Sequence, residues 1–201
     1  METSASLSRM DFGSTSEIEK LFSEFDARAG STTGIRRRQL FRYSDLVVHV
    51  QDFDHDEATV APGQADGILP ARSAARFYQW SAGPAPTREP LYSTVIVNHM
   101  DPVHVPEVRR LFEELDATDF PEQMGTRHRQ LFLDGDVYLH IQHFVQADGG
   151  ALIDQAWKDA DPRFIKICDA LMQIIPPYDP AVWHSPADSV ATSCYRWEAA
   201  E

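Results

Sequence analysis

Short blocks in which apolar and polar residues alternate are interrupted by stretches with helical spacing. Residues 91–99 alternate as expected for a strand. In residues 15–28 and 105–117, apolar side chains instead recur three and four positions apart, which predicts two helices that each have one apolar face. The remaining pattern predicts strands at 3–10, 34–41, 49–53, 73–80, 125–132, 136–144 and 190–197, and helices at 151–160 and 162–175.

The second half of the chain repeats the first. Residues 9–27 match residues 99–117 at an offset of 90, and after one gap GIRRRQLF (34–41) matches GTRHRQLF (125–132). HVQDF then matches HIQHF, and a block that ends in FYQW matches one that ends in CYRW. Because four blocks recur in the same order, the chain is a tandem repeat of one structural unit.

Each repeat has the element order β-α-β-β-α-β, which is the ferredoxin-like motif, with hairpin turns at 43–45 and 134–136. We therefore predict an α+β protein of two fused ferredoxin-like units, residues 1–81 and 91–201, joined by a proline-rich linker at 82–90. The first unit is predicted to lack its second helix, because a short, acidic segment rich in Pro and Gly occupies that position.

A four-stranded sheet with helices on one side leaves its other face uncovered. Two such sheets packed face to face would cover each other, and fusion makes that association intramolecular. We therefore expect an intrachain pseudo-dimeric α/β barrel, with the whole protein either a monomer or a dimer of chains.

Composition narrows the class of partner. The net charge of −13 argues against nucleic acid and against an anionic membrane surface. No run approaches the length of a membrane span, and the first residues do not have the pattern of a secretory signal. The two cysteines, Cys168 and Cys194, suit buried thiols in a reducing compartment, so a cytoplasmic location is expected.

Polar side chains are concentrated on the predicted hairpin of the second repeat. Strand alternation places Arg127 and Arg129 on one face of their strand and His128 on the other. On the next strand, His140 lies on a face that mixes polar and apolar side chains, which predicts a polar-lined interior. The candidate substrate-binding residues are Arg127, His128, Tyr138 and Gln142.

A histidine, an arginine and an aspartate at a helix end can together form an acid–base set. The histidine titrates near neutrality, the arginine can hold an enolate oxygen, and the aspartate can orient the histidine or act as the base. Both repeats carry the set. The helix-end aspartate is Asp116 in the second repeat and Asp26 in the first, and each repeat also has histidines and arginines on its predicted strands.

Other interpretations of these residues stay open. The repeated aspartate and arginine can be a structural ion pair between helix and sheet, with the histidine a buried core residue. Metal binding is not expected, because His140 and His143 point to opposite faces of one strand. Cys168 lies in an amphipathic helix and is expected to pack rather than react. The chain has no P-loop, dinucleotide fingerprint or nucleophile elbow.

These motifs resemble the small aromatic polyketide cyclases of type II pathways, the tetracenomycin-cyclase-like family. The resemblance rests on MDP, LFEELDATDFPEQMGTRHRQLF, DVYLHIQHF, DPRF, PYDP, SPAD and YRW, which span nearly the whole second repeat. The first repeat keeps LFSEFDA, GIRRRQLF, LVVHVQDF and FYQW. Members of this family are usually single units that dimerise through their sheets.

The resemblance implies cofactor-free ring closure on a poly-β-keto intermediate by aldol-type condensation and dehydration. It implies that Asp116, Arg129 and His140 are catalytic, with Asp26, Arg38 and His49 as their first-repeat equivalents. One departure stands just before the aspartate, where the family's type enzyme has His and this chain has Leu115 and Phe25. The partners implied are an aromatic polyketide intermediate and the type II polyketide synthase or other cyclases.

The second unit is expected to be the working site, because its helical cover is complete and can exclude water. The first unit is then mainly a structural partner. Two other functions stay open on the same fold: a cofactor-free monooxygenase that oxidises anthrone-like rings, and a non-catalytic accessory protein of the polyketide synthase.

Overall fold

The computed structural model describes residues 2–9, 15–29, 35–53, 71–83 and 91–199. They belong to two compact units. Unit 1 is drawn from Met1–Ala75 together with Ala191–Glu201, and unit 2 is Arg76–Val190. Elements are numbered along the whole chain below.

In the described residues, unit 1 has one helix and a sheet with the strand order β4-β1-β3-β2-β9. The pairs β1–β3, β1–β4, β2–β3 and β2–β9 are antiparallel. The elements are β1 (Glu2–Arg9), α1 (Thr15–Ala29), β2 (Ile35–Tyr43), β3 (Leu46–Phe53), β4 (Arg72–Ser73) and β9 (Thr192–Glu198).

The described part of unit 2 has a sheet with the strand order β5-β7-β8-β6 and four helices. Two short 3₁₀ turns, at Pro102–His104 and Pro186–Ser189, flank these elements. The elements are β5 (Ala75–Ser81), β6 (Tyr92–His99), α2 (Val105–Asp116), α3 (Phe120–Gln123), β7 (Thr126–Asp134), β8 (Val137–Phe144), α4 (Gly149–Asp159) and α5 (Pro162–Met172). This is the α+β ferredoxin-like fold with antiparallel pairing that the repeat predicted.

The two units do not follow the repeat boundaries 1–81 and 91–201. Strand β5 closes the first repeat in sequence, yet it lies next to β7 in the sheet of unit 2. Strand β9 closes the second repeat, yet it pairs with β2 in unit 1. The predicted domain boundaries are corrected accordingly, because alternation identifies a strand but not the sheet edge that it joins.

Two of the predicted features lie outside the described residues. They are the absent second helix of the first unit, which concerns residues 54–70, and most of the linker, residues 84–90.

The first long helix of unit 2 forms where its apolar spacing predicted. Pro106 lies in its first turn, where the missing N–H would have no helical partner. The face predicted from the sequence is buried, with Phe112 2% exposed and Leu115 6% exposed. The same face ends on the buried carboxyl group of Asp116, so the helix carries a charged group into the interior.

Helix α4 starts in close contact with the sheet. A Cβ on Gly149 would lie 2.0 Å from Oγ1 of Thr94 and 2.6 Å from the ring of Phe144, whereas a Cβ on Gly150 would meet nothing closer than 3.6 Å. The first distance is too short for any real contact, so only glycine fits at position 149 without movement of the helix.

We expect Gly149→Ala to lower the free energy of unfolding by about 1–3 kcal/mol, the usual cost of overpacking. Gly150→Ala is the matched control, and it should be neutral or slightly stabilising because alanine favours helix. Urea unfolding followed by circular dichroism measures both. Equal losses in the two variants would contradict the close approach at Gly149.

Candidate functional site

A cavity opens between the sheet and the helices of unit 2. The helices contribute apolar side chains such as Phe112, Phe164 and Leu171. The polar side chains of the lining are Asn98, Arg129, Tyr138, His140, Gln142 and Ser189. One wall can therefore bind oxygen atoms while the other covers an apolar body.

Cross-strand register explains why these polar groups share one wall. Arg129 lies opposite Gln142, and Leu131 lies opposite His140, in the antiparallel pair of β7 and β8. Residues directly opposite each other in such a pair point to the same face. Tyr138 is two residues from His140 and shares that face, as the alternation predicted.

An ion pair joins helix α2 to this wall. Nε of Arg129 lies 3.4 Å from Oδ1 of Asp116, and both side chains are almost completely buried. The guanidinium carbon of Arg129 also lies 4.8 Å from the centre of the Phe112 ring. Asp116 itself is not part of the cavity lining, so it acts on the cavity through Arg129.

Tyr78 completes this cluster from strand β5. Its hydroxyl group donates a hydrogen bond of 2.9 Å to Oδ2 of Asp116, so each carboxylate oxygen faces a different partner. The sequence predictions did not include this residue. A signal was present, because Tyr78 in FYQW and Tyr195 in CYRW occupy matching places at the ends of the two repeats.

Burial sets the charge states of the cluster. It raises the pKa of Asp116, against the opposing effects of the Arg129 cation and the Tyr78 hydrogen bond. Burial also lowers the pKa of Arg129, but a guanidinium starts so far above neutrality that it stays cationic. The pKa of the Tyr78 hydroxyl is raised by burial and by Asp116, so this hydroxyl keeps its proton.

His140 is neutral in this environment. Burial and the nearby Arg129 cation hold its pKa well below the ordinary 6.5. Its ring meets the Phe112 ring edge-on at a centroid distance of 5.0 Å. Within the described part of the chain its Nε2 atom has no hydrogen-bond partner, and the same is true of Oε1 of Gln142. Buried polar atoms normally have partners, so these cavity residues are suited to bind a ligand.

Unit 1 carries the equivalent cluster. Nη1 of Arg38 lies 3.2 Å from Oδ1 of Asp26, and the hydroxyl of Tyr195 donates to Oδ2 of Asp26 at 2.8 Å. His49 meets the Phe22 ring edge-on at 5.5 Å. Burial, together with the Arg38 cation, lowers the pKa of His49 to about 3. The sequence repeat is therefore also a repeat of side-chain geometry.

The sequence also matches a known family. The profile of the polyketide synthesis cyclases matches residues 3–68 and 92–198 of this chain.

The chain belongs to the polyketide synthesis cyclase family.

Individual relatives agree with this assignment. The chain is 31% identical to the tetracenomycin F2 cyclase of Streptomyces glaucescens over 108 residues, which are 54% of this chain and 95% of that protein. The solved structure of that cyclase superposes with a TM-score of 0.50, over 54% of this chain and 99% of that one. Polyketide synthase CurG of Streptomyces cyaneus is 33% identical over 92 residues, 46% of this chain and 83% of that protein.

A third similarity extends over both repeats. The structure of an anthrone oxidase-like protein superposes with a TM-score of 0.56 over 99% of this chain and 93% of that one, at 14% identity. At this identity the likeness shows a shared fold and carries no statement about chemistry.

Within this cyclase-family site, two predicted substrate-binding residues lie elsewhere. Arg127 is the extra residue of a β-bulge between Thr126 and His128, and it does not line the cavity. The bulge puts Thr126, instead of Arg127, opposite Phe144. Simple alternation therefore misplaced Arg127, because a bulge shifts side chains by one position.

His128 lies on the face of β7 that points away from the cavity. It is paired with His143, and the two ring centres are 5.9 Å apart. Its Nδ1 atom lies 2.9 Å from Oγ of Ser81. The two other predicted substrate-binding residues, Tyr138 and Gln142, do line the cavity.

Three further features concern metal binding, membrane-spanning helices and the reactivity of Cys168. Over the described part of the chain, no group of three His, Cys, Asp or Glu side chains could hold a metal ion. No helix there is long and apolar enough to cross a membrane. Cys168 lines the cavity, but burial and Asp169 raise the pKa of its thiol to about 12, so it is not a thiolate nucleophile.

Proposed function

We propose that this protein closes rings of a poly-β-keto intermediate by intramolecular aldol-type condensation and dehydration, without a cofactor. The observation that carries the proposal is the neutral His140, which lies with the Arg129 cation in the wall of an apolar cavity. Membership of the polyketide synthesis cyclase family supports the substrate class. The enzyme would act in aromatic polyketide biosynthesis, with the polyketide synthase as the source of its substrate.

His140 would act as the base. A methylene group between two carbonyl groups is acidic enough to lose a proton to a neutral imidazole, and a low pKa keeps His140 in that neutral form. Arg129 would bind the enolate oxygen. Once the enolate forms, its negative charge lies near two cations, and this offsets the weak basicity of a buried histidine.

The cavity would supply most of the remaining rate enhancement. Both reacting carbons belong to one molecule, so the task is to hold a flexible chain in a shape close to the product. The apolar side chains of the helices exclude water and favour a folded, flat substrate. The polar wall faces the oxygen-bearing edge of that substrate.

Asp116 and Tyr78 would position Arg129. The ion pair and the hydrogen bond connect Tyr78, Asp116 and Arg129 in series, while only Arg129 reaches the cavity. We infer that Asp116 is a positioning residue for the guanidinium rather than the base.

We also propose that unit 2 is the working site and that unit 1 is a structural partner, with the two sheets forming a pseudo-dimeric barrel. The support is the sequence repeat and the single-repeat length of the tetracenomycin F2 cyclase relative.

The function is tested by incubating the purified protein with an uncyclised aromatic polyketide, in air and without oxygen, and following the products by mass. We expect loss of one water per ring closed, at equal rates in both atmospheres. The His140→Gln variant controls for spontaneous cyclisation. Gain of oxygen only in air would move the assignment to a monooxygenase, and no difference from the blank would favour an accessory protein.

A further inference from the structure

The hydroxyl group of Tyr138 is buried and has no hydrogen-bond partner among the residues that the structure describes. Its residue is only 2% exposed, and it lines the cavity together with Arg129 and His140. A buried hydroxyl without a partner destabilises the folded protein, because the group has lost its hydrogen bonds to water. A group that is retained at this cost beside a cavity is suited to bind whatever occupies it.

The surroundings of Tyr138 connect it to the reacting groups. Its ring centre lies 6.5 Å from that of His140. The cation of Arg129 favours the phenolate form, while burial and Asp116 oppose it more strongly and raise the pKa of Tyr138 above its ordinary value. The hydroxyl therefore keeps its proton at rest, and a cation is close by if that proton is given up.

Comparison of the two repeats shows that the cluster of aspartate, arginine, histidine and tyrosine forms without the Tyr138 hydroxyl. Unit 1 keeps the aspartate, arginine, histidine and tyrosine of the cluster, yet it has Val47 at the position that matches Tyr138. Val47 packs in the apolar core of unit 1 with Phe22 and Leu40. The hydroxyl thus distinguishes the proposed working site from its structural equivalent.

We propose that Tyr138 is the proton donor of the ring closure, an assignment that rests on the proposed cyclase function. In the first step, Nε2 of His140 takes a proton from the methylene group, and the enolate carbon forms a bond to a carbonyl carbon of the same molecule. The oxygen of that carbonyl takes the proton of the Tyr138 hydroxyl. The product is an aldol, with a phenolate at Tyr138 and an imidazolium at His140.

The second step removes water and restores both residues. The Tyr138 phenolate takes the remaining proton from the former methylene carbon, and the imidazolium of His140 gives its proton to the departing hydroxyl group. The carbon–oxygen bond breaks as the carbon–carbon double bond forms. Two substrate protons and one oxygen leave as water, and no oxidant or reductant is consumed.

The relative acidities permit this order of events. An aldol alkoxide is a base comparable with hydroxide, so its conjugate acid is about as weak an acid as water. A phenol is a stronger acid than that, even where burial raises its pKa, so the transfer to the alkoxide is downhill. Arg129 stabilises the phenolate that remains.

The test is the Tyr138→Phe variant, which keeps the ring and removes only the hydroxyl. We expect kcat to fall by about 10²–10⁴-fold, the range for a positioned acid, with KM within about two-fold of its original value. Tyr178→Phe is the chemical control, because Tyr178 stacks on His99 and does not line the cavity. It should retain the original kcat.

Urea unfolding separates catalysis from folding. Removal of an unpartnered buried hydroxyl should leave Tyr138→Phe at least as stable as the original protein. A rise in KM with unchanged kcat would overturn the assignment and leave Tyr138 a binding residue, and an unchanged kcat and KM would overturn it entirely. If the original protein itself transforms no polyketide, the proposed cyclase function is wrong, and this is known before any variant is compared.

Discussion

Replacement of His140 by glutamine is expected to lower kcat for ring closure by about 10²–10⁴-fold, the usual contribution of a positioned base. Glutamine is close to histidine in size and stays neutral, so the cavity keeps its shape but loses the atom that takes the proton. The His140 side chain is buried and no described residue hydrogen-bonds to its Nε2, so the substitution removes no such bond. Steady-state kinetics on a polyketide substrate measures the change.

The matched control is His49→Gln in unit 1. His49 has the same neighbours in kind as His140, an arginine and the edge of a phenylalanine ring, but it belongs to the proposed structural partner. We expect it to leave kcat within about two-fold. If His49→Gln abolishes activity while the protein stays folded, the assignment of the working site to unit 2 is wrong.

The pH dependence of the original protein gives a second check on His140. A base is active when it is unprotonated, and burial with Arg129 holds the pKa of His140 well below 6.5. The value of kcat/KM should therefore stay constant as pH falls through about 6.5, with its acid limb at lower pH. A limb at the ordinary histidine value would show that His140 is either exposed or not the base.

Replacement of Arg129 by methionine is expected to lower the free energy of unfolding by about 3–5 kcal/mol at pH 7, because the carboxylate of Asp116 is left buried without its cation. The pair is almost completely buried on both sides. The Tyr78 hydrogen bond remains but does not neutralise the charge. Urea unfolding at neutral pH measures the loss.

The free energy of unfolding of Arg129→Met should depend on pH in one definite direction. Burial already raises the pKa of Asp116, and without Arg129 it rises further, so the folded protein binds the proton more tightly than the unfolded chain. Stability of Arg129→Met should therefore increase as pH falls through the raised pKa of Asp116, and the deficit relative to the original protein should shrink. A deficit that grows on acidification would contradict this.

A second variant distinguishes the effect of losing the Arg129–Asp116 ion pair from the effect of losing the packing of the Arg129 side chain. In Arg129→Met with Asp116→Leu, no charge is left buried, so most of the neutral-pH stability should return. Both variants should remain inactive, because each lacks the cation that holds the enolate oxygen. If Arg129→Met alone is as stable as the original protein at pH 7, then Asp116 is protonated at that pH. If the double variant is active, Arg129 has no part in catalysis.

Much of the site could be predicted because the relevant information is local and occurs twice. Helix α2 begins and ends within one residue of its predicted range 105–117, and its apolar face is buried as its spacing indicated. Strand alternation correctly grouped Tyr138, His140 and Gln142. The repeated aspartate and arginine form the same buried ion pair in both units. Periodicity of 2.0 or 3.6 residues is a property of the sequence itself.

The tertiary structure decided the strand pairing, the position of the bulge and the contacts between residues distant in sequence, which periodicity does not encode. Strands β5 and β9 lie in the sheets of the opposite repeats, because strand pairing depends on which sheet edge is free in the folded chain. A one-residue bulge at Arg127 interrupts the strand alternation, and Arg127 does not line the cavity. Tyr78 reaches Asp116 only through the exchange of strands. Contacts between residues distant in sequence arise from packing, so the hydroxyl group that completes the site follows from the fold.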